Sequence, residues 1–163
     1  MSDALALRAA TPADVPVLLE LIRGLAEYER LAHEVEASSA LVARHGFGER
    51  PIFEAILAES GGQAVGFALY FFTFSTFKAR PTLYLEDLFV RPEARGRGVG
   101  RRLLAELARI AVARDCGRME WSVLDWNTPA RDFYFKLGAI AMDEWTVFRM
   151  APDAFRRLAE DPT

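Results

Sequence analysis

The segment RPEARGRGVGRR, residues 91–102, constrains the fold most, because it joins two stretches with different hydrophobic periods. The run TLYLEDLFV before it is rich in β-branched and aromatic residues, which predicts a strand. After it, apolar side chains recur at steps of three and four residues from Val99 to Ala111, which predicts an amphipathic helix. The chain therefore contains a strand–loop–helix unit of the kind found in sheets covered by helices.

The remaining elements place this unit within a larger sheet. Thr11 and Pro12 mark a helix start, Ser38 or Ser39 can cap a second helix, and SGGQ separates two β-rich runs as a hairpin loop. This order predicts an α/β (α+β) fold. The predicted strands are 4–9, 52–59, 64–74, 82–90, 119–126 and 145–150, and the predicted helices are 12–28, 39–46, 99–113, 128–138 and 152–160.

Composition limits the function classes. The chain has 163 residues, enough for one domain over residues 1–163, and a formal net charge of −3, which gives no general attraction to nucleic acid or anionic membranes. No basic leader and no uninterrupted apolar span is present, so a cytoplasmic protein is expected. Cys116, His33 and His45 lack a metal-ligand spacing, and the sequence therefore predicts no metal site.

The glycines of the loop predict an anion site. Gly96, Gly98 and Gly100 leave the amides at the start of a helix uncovered, and such amides carry the positive end of the helix dipole. The plainer alternative is a flexible turn with solvated arginines. A Walker loop is absent, and Arg101 occupies the position of the third glycine of the dinucleotide fingerprint.

Two adjacent acids, Glu86 and Asp87, lie within the apolar run before the loop. Side chains alternate along a strand, so the two carboxylates point to opposite faces unless a bulge intervenes. They could serve solubility on an edge strand. Acids among apolar neighbours are costly without a task, which favours a functional role.

The spacing of Arg95, Gly98 and Gly100 matches the R-x-x-G-x-G/A signature of the GNAT superfamily of N-acetyltransferases. The motifs LAEYE, HGFGERPIFEAILAE, VGFALYFFTFSTFK, LYLEDLFV, RGRGVG, SVLDWN and FYFKLGA resemble its diamine acetyltransferase branch, which contains the spermidine/spermine and thialysine acetyltransferases. This similarity runs from about residue 5 to residue 150.

The resemblance implies a GNAT fold, with a mixed, mostly antiparallel sheet of six to seven strands in which strands 4 and 5 splay apart. It implies acetyl-CoA as co-substrate, with its pyrophosphate in the loop and its pantetheine arm along strand 4. The implied cofactor-binding residues are Leu88, Phe89, Val90, Arg95, Gly96, Arg97, Gly98, Val99, Gly100, Arg101, Asn127, Tyr134 and Lys136.

The same resemblance assigns catalytic roles. Glu86 is implied as the base, acting through water, and Tyr134 as the proton donor to the leaving sulfur, in a direct attack within a ternary complex. Tyr134 can equally be an aromatic packed beneath a helix, and Asn127 can equally be a helix cap. Relatives often have a basic residue directly after this tyrosine, whereas here Phe135 follows and Lys136 comes one position later.

The implied substrate is a small-molecule amine held in an acidic groove. Ser75 and Phe77 stand where polyamine-preferring members have an acid and a tryptophan, which favours a lysine-like or short amine over spermine. Relatives imply a homodimer; a non-catalytic acyl-CoA sensor is the alternative, and a nucleic-acid binder lacks a wider basic surface. The implied substrate-binding residues are Glu29, Ser75, Phe77, Glu86, Asp87, Trp126, Asp143 and Trp145.

Overall fold

The computed structural model describes residues 4–161. These residues form two compact units, the first ending at Leu124 and the second beginning at Asp125, and each unit is described by itself. One domain over residues 1–163 stays a prediction. No helix within residues 4–161 is long and apolar enough to cross a membrane.

The first unit contains a sheet and three α-helices. Three short 3-10 turns, Pro12–Asp14, Ala32–Glu34 and Pro92–Ala94, lie among them. The strands are β1 (Ala6–Ala9), β2 (Glu54–Ser60), β3 (Gln63–Ser75), β4 (Arg80–Val90) and β5 (Arg118–Trp121), and the helices are α1 (Val15–Tyr28), α2 (Ser39–Phe47) and α3 (Val99–Ala113).

The five strands form one mixed sheet in the order β1-β2-β3-β4-β5. The first three pairings are antiparallel, and β4 pairs with β5 in parallel. The parallel pairing ends at Leu85 and Trp121, so the remainder of β4 has no strand on that side among the described residues. The backbone of β4 from Glu86 onwards therefore has no β5 partner on this edge.

Helices cover both faces of this sheet. The buried stripe of α1 joins Phe67, Leu69 and Phe89 in one apolar cluster. Tyr70, the residue after Leu69 on β3, faces the other way and donates a hydrogen bond to Glu54, which also pairs with an arginine just after α3. The α3 side chains that pack on this second face are Val99, Leu103, Leu104, Leu107 and Ala111, all buried.

The second unit contains α4 (Thr128–Lys136) and α5 (Pro152–Ala159). Asn127 caps α4 by accepting a hydrogen bond from the Ala130 amide at 3.4 Å. Gly138 follows α4 with a φ of 91°, a left-handed conformation that glycine adopts readily after a helix.

The prediction of six to seven strands is wrong, because the described residues contain five. Residues 145–150, predicted as a late strand, pair with no other described strand, and Val147 and Phe148 are exposed. The fifth strand also ends at Trp121 rather than at residue 126. A β-rich pattern predicts a strand only where a neighbouring strand satisfies its backbone groups.

Candidate functional site

A β-bulge in β4 sets the direction of its acidic side chains. On β3, Leu69 pairs with Asp87, but the next residue, Tyr70, pairs with Leu85, so Glu86 is an extra residue. A bulge shifts the alternation of side chains along a strand. Asp87 therefore lies with Leu69 on the α1 face, although regular alternation from Leu85 would place it on the α3 face.

At this bulge, the negative charges of Glu86 and Glu29 act on Asp87. Asp87 is half-buried, and its pKa is raised to about 7. Burial is the largest cause, and the negative charges of Glu86 and Glu29 add to it. Glu29 directly follows α1, and burial raises its pKa too. Glu86 is exposed. Within residues 4–161, none of the three forms an ion pair, so this part of the first unit is strongly negative.

The loop before α3 has the backbone that its glycines predict. Gly96 and Gly98 have φ values of 73° and 79°, and a Cβ at either position would meet no atom within 4 Å. Both glycines are therefore required by conformation rather than by space. Gly98 caps α3, and its carbonyl accepts from Arg102 at 3.0 Å, so the amides of residues 99–101 have no earlier helical acceptor.

The other loop residues differ in exposure. Val99, the first residue of α3, is buried, and Gly100 lies in the first turn of the same helix. Arg97 and Arg101 are exposed. The buried valine anchors the helix start. The arginines remain available to an anion from solvent.

Arg95 does not point into the loop. Its Nε donates to the Val90 carbonyl at 2.9 Å, and its guanidinium carbon lies 4.6 Å from the centre of the Tyr28 ring and 5.7 Å from that of Phe89. Such a cation–π arrangement is favourable at a partly exposed site. Arg95 lies in an open pocket of about 290 Å³, whose other lining residues are Glu20, Gly24, Glu27, Tyr28, Phe89, Arg91, Pro92 and Glu93.

The predicted pantetheine strip lies on the edge of β4. Phe89 is buried in the α1 cluster, while Leu88 and Val90 are half-buried. On the β3 side these residues pair with Phe67, Ala68 and Gly66. Their backbone groups on the opposite side lie beyond the end of the β5 pairing and can accept an added extended chain.

The two substrate residues predicted in the β3–β4 hairpin have different surroundings. Ser75 is buried, and its hydroxyl accepts from the Lys78 amide at 3.2 Å. Phe77, by contrast, is 95% exposed. Ser75 therefore holds the turn together, and Phe77 is the one with a free surface.

The remaining predicted residues belong to the second unit. Asn127 is buried as the cap of α4, Tyr134 is half-buried on that helix, and its ring lies 5.4 Å from that of Phe133. Roles that join them to the first unit stay predictions. The exposed members of this group are Trp126, Lys136, Asp143 and Trp145.

Sequence reasoning missed Gly24 and Tyr28. A Cβ at Gly24 would lie 3.0 Å from the Phe89 ring, so this glycine allows α1 to approach β4 closely. An isolated glycine inside a helical pattern is a signal of such packing. The contact between Tyr28 and Arg95 leaves no comparable signal in the sequence.

The described residues contain no group of three or more histidine, cysteine, aspartate or glutamate side chains that could hold a metal ion.

Known proteins are similar to this chain in sequence. Residues 18–139 match the acetyltransferase (GNAT) family model. The thialysine N-epsilon-acetyltransferase of Bos taurus is 40% identical, over 94% of this chain and 96% of that protein. The spermidine/spermine N(1)-acetyltransferase-like protein 1 of Homo sapiens is 34% identical, over 90% of this chain and 22% of that longer protein.

Solved structures share the fold. An integron cassette protein from the mobile metagenome of V. cholerae superposes with a TM-score of 0.78 and 27% identity, over 96% of this chain and 98% of that one.

Proposed function

The chain belongs to the acetyltransferase (GNAT) family and is an N-acetyltransferase, and from this premise we propose that it transfers the acetyl group of acetyl-CoA to a primary amine of a small cationic substrate. The substrate class is a thialysine-like amino acid, a diamine or a polyamine. Relatives named for thialysine and for spermidine/spermine support a cationic amine.

The start of α3 is the binding site for the pyrophosphate of acetyl-CoA. The left-handed backbone at Gly96 and Gly98 is the observation that carries this proposal, because such a backbone lets successive amides point into one concavity, directly before the amides of residues 99–101 that have no earlier helical acceptor. Arg97 and Arg101 add positive charge. The pantetheine arm pairs with the free edge of β4.

The carboxylates at the β4 bulge bind the cationic amine. Three acids that have no basic partner within residues 4–161 attract an ammonium, and each charge-assisted contact adds affinity. Ser75 is committed to its turn and supplies no charge, which favours a lysine-like or short amine over a long polycation.

Acetyl transfer requires the amine to lose a proton, because an alkylammonium has a pKa of about 10 and no lone pair for attack. A carboxylate of β4 accepts this proton, and Tyr134 donates a proton to the leaving sulfur. The amine attacks the thioester directly within a ternary complex.

In the same proposal the protein is a homodimer. The segment 145–150 carries exposed apolar side chains in a β-rich pattern, and a second copy is the partner that covers it. Light scattering of the full chain tests this: a mass of two chains is expected, which Phe148→Asp reduces to one. A single-chain mass for the wild-type protein contradicts it.

Release of free CoA from acetyl-CoA, measured with thialysine, lysine, putrescine and spermidine, tests the activity. Thialysine or lysine is expected to give the highest kcat/KM, with lines that intersect in double-reciprocal plots. Parallel lines contradict direct attack. Binding of acetyl-CoA without turnover of any amine supports the acyl-CoA sensor instead.

The loop has a matched control elsewhere in the chain. Gly98→Ala forces a side chain into a left-handed conformation, at a cost of about 1–2 kcal/mol, and is expected to weaken acetyl-CoA binding about 10-fold in calorimetry. Gly62, in the β2–β3 turn, has a φ of 75° and equally open surroundings. Gly62→Ala imposes the same strain and should leave acetyl-CoA affinity unchanged; equal loss in both variants contradicts the loop assignment.

A further inference from the structure

Asp87 differs from the two acids beside it in both position and surroundings. The bulge at Glu86 turns Asp87 onto the face that α1 covers, where it is half-buried and opposite the apolar Leu69. Glu86, the extra residue of the bulge, is exposed. The two neighbouring acids thus have different access to solvent.

The groups around Asp87 are negative or apolar. Glu86 on its own strand and Glu29 at the end of α1 act on it, and both disfavour its charge. The elements on the other sides bring no charge to it: β3 presents Leu69, β5 pairs only as far as Leu85, and the buried residues of α3 are apolar and face the opposite side of the sheet.

The cation Arg95, five residues after the end of β4, is engaged elsewhere. Arg95 donates to the Val90 carbonyl and stacks on Tyr28 and Phe89. Within residues 4–161, the Asp87 carboxylate forms neither an ion pair nor a side-chain hydrogen bond. A carboxylate kept without a partner at partial burial is typical of a proton acceptor rather than of a structural group.

We propose that Asp87, rather than Glu86, accepts the proton that the substrate ammonium loses, while Glu86 and Glu29 hold that ammonium by charge. This inference rests on the proposed acetyl transfer to a cationic amine. It reverses the roles that the resemblance implied for the two neighbouring acids. Its basis is the bulge, which gives one acid a protected position and the other a solvated one.

The proposed step balances in protons and electrons. The ammonium proton passes to the Asp87 carboxylate, directly or through one water, and the freed lone pair forms the N–C bond with the thioester carbon. The C–S bond breaks with its electron pair on sulfur, which takes up a proton. The nitrogen loses its second proton, and Asp87 releases the first to water, so the products are amide, thiol and one proton.

The pH dependence of kcat/KM in the free enzyme tests this assignment. Proton transfer is most efficient when the acceptor has a pKa near the working pH, and that of Asp87 is about 7. The wild-type profile, with thialysine and acetyl-CoA from pH 5 to 9, is expected to rise with an apparent pKa of about 7. Asp87→Asn should lower kcat/KM at pH 7.5 about 100-fold and abolish this rise.

Glu86→Gln is the matched control, because it removes a charge at the adjacent position and keeps the shape. It is expected to raise the KM for the amine. It should also move the increase of kcat/KM to lower pH, because one of the negative charges acting on Asp87 is gone. A rise that survives in Asp87→Asn and vanishes in Glu86→Gln overturns the assignment. Thermal unfolding of both variants confirms that they are folded.

A second measurement does not depend on turnover. Carbon-13 NMR of the side-chain carboxylates, with Asp87→Asn to assign the signal, should give a midpoint of about 7 in the ligand-free protein. A midpoint near the ordinary value of 3.8 overturns the inference. If the wild type acetylates none of the amines, both the proposed function and the Asp87 assignment fail. If the wild type is active and Asp87→Asn has an unaltered pH profile of kcat/KM, only the Asp87 assignment fails.

Discussion

Asp14 and Asp87 are both withdrawn from solvent within the first unit, but their electrostatic surroundings are opposite. Asp14 accepts from the Arg8 guanidinium at 2.7 and 2.8 Å and from the Thr11 amide at 2.7 Å. Hydrogen bonding to Arg8, above all, holds the pKa of Asp14 well below its usual range. Asp87 has two acids beside it and a raised pKa.

The difference separates a structural carboxylate from a reactive one. Arg8 also pairs with Glu59 of β2, at 2.7 Å, so the Asp14 network ties β1, β2 and the start of α1 together. Its charges are satisfied, and it contributes to stability. The carboxylate at the bulge is left unsatisfied, which costs stability and leaves it free to take a proton.

Arg8→Ala should give the largest change in the free energy of unfolding. It removes the cation beside Asp14, so that this carboxylate resembles Asp87. Removing one partner leaves Asp14 and Glu59 without a cation, and we expect a loss of about 2 kcal/mol in the free energy of unfolding. The figure is below that for a fully buried pair because the Arg8 side chain is 41% exposed. Denaturant unfolding at pH 7 measures it.

Arg23→Ala provides the control for Arg8. Arg23 is an exposed residue of α1, and the change should stay within about 0.5 kcal/mol. Equal losses of unfolding free energy in the two variants would show that the ion network adds nothing beyond the removal of any surface arginine.

Asp14→Asn should be next in size, with a loss of about 1.5 kcal/mol at pH 7. The folded-state pKa of Asp14 lies below its unfolded value of 3.8, so its stabilisation is present above pH 3.8 and is lost as pH falls towards the folded-state value. Unfolding of the wild type and the variant from pH 7 to pH 2 measures the difference. A gap that stays constant at low pH contradicts the ion-pair origin.

The helices and most strands could be predicted because each has a local cause. The three- and four-residue steps of α3 match its buried stripe, and Asn127 caps α4, which is one of the two roles that the sequence left open for it. The strand at 145–150 could not be judged locally, because its formation depends on a partner strand and none is paired with it among the described residues.

The candidate site was predicted in its residue types but not in its arrangement. The glycines at 96 and 98 have a local requirement, a positive φ, that sequence reveals. The bulge at Glu86 is a property of the register between β3 and β4, which the letters LYLEDLFV do not encode by themselves. The placement of Arg95 is also non-local, because its guanidinium contacts a tyrosine of α1 from far along the chain.

Asp87→Asn should raise the free energy of unfolding, whereas Asp14→Asn should lower it. The folded-state pKa of Asp87 is raised from 3.8 to about 7, so ionising it costs stability as pH rises through that window. We expect a gain of about 1 kcal/mol at pH 8, well below the ~4 kcal/mol that such a shift implies for a fully buried group, because the side chain is partly solvated. Thermal unfolding should show a midpoint raised by about 2–4 °C at pH 8 and unchanged at pH 4.

Glu29→Gln should give the smallest effect, because it removes one like charge and leaves Asp87 in place. We expect a gain of about 0.5 kcal/mol at pH 8 and a lower NMR midpoint for the Asp87 carboxylate. Glu27, in the last turn of α1 and two residues before Glu29, is exposed and is not among the charges acting on Asp87, so Glu27→Gln controls for removing a negative charge near the helix C-terminus. Both substitutions remove a negative charge from the same helix end. A shift of the Asp87 NMR midpoint in Glu29→Gln alone therefore shows direct repulsion between Glu29 and Asp87. Equal shifts in both variants would instead show an effect of the helix end.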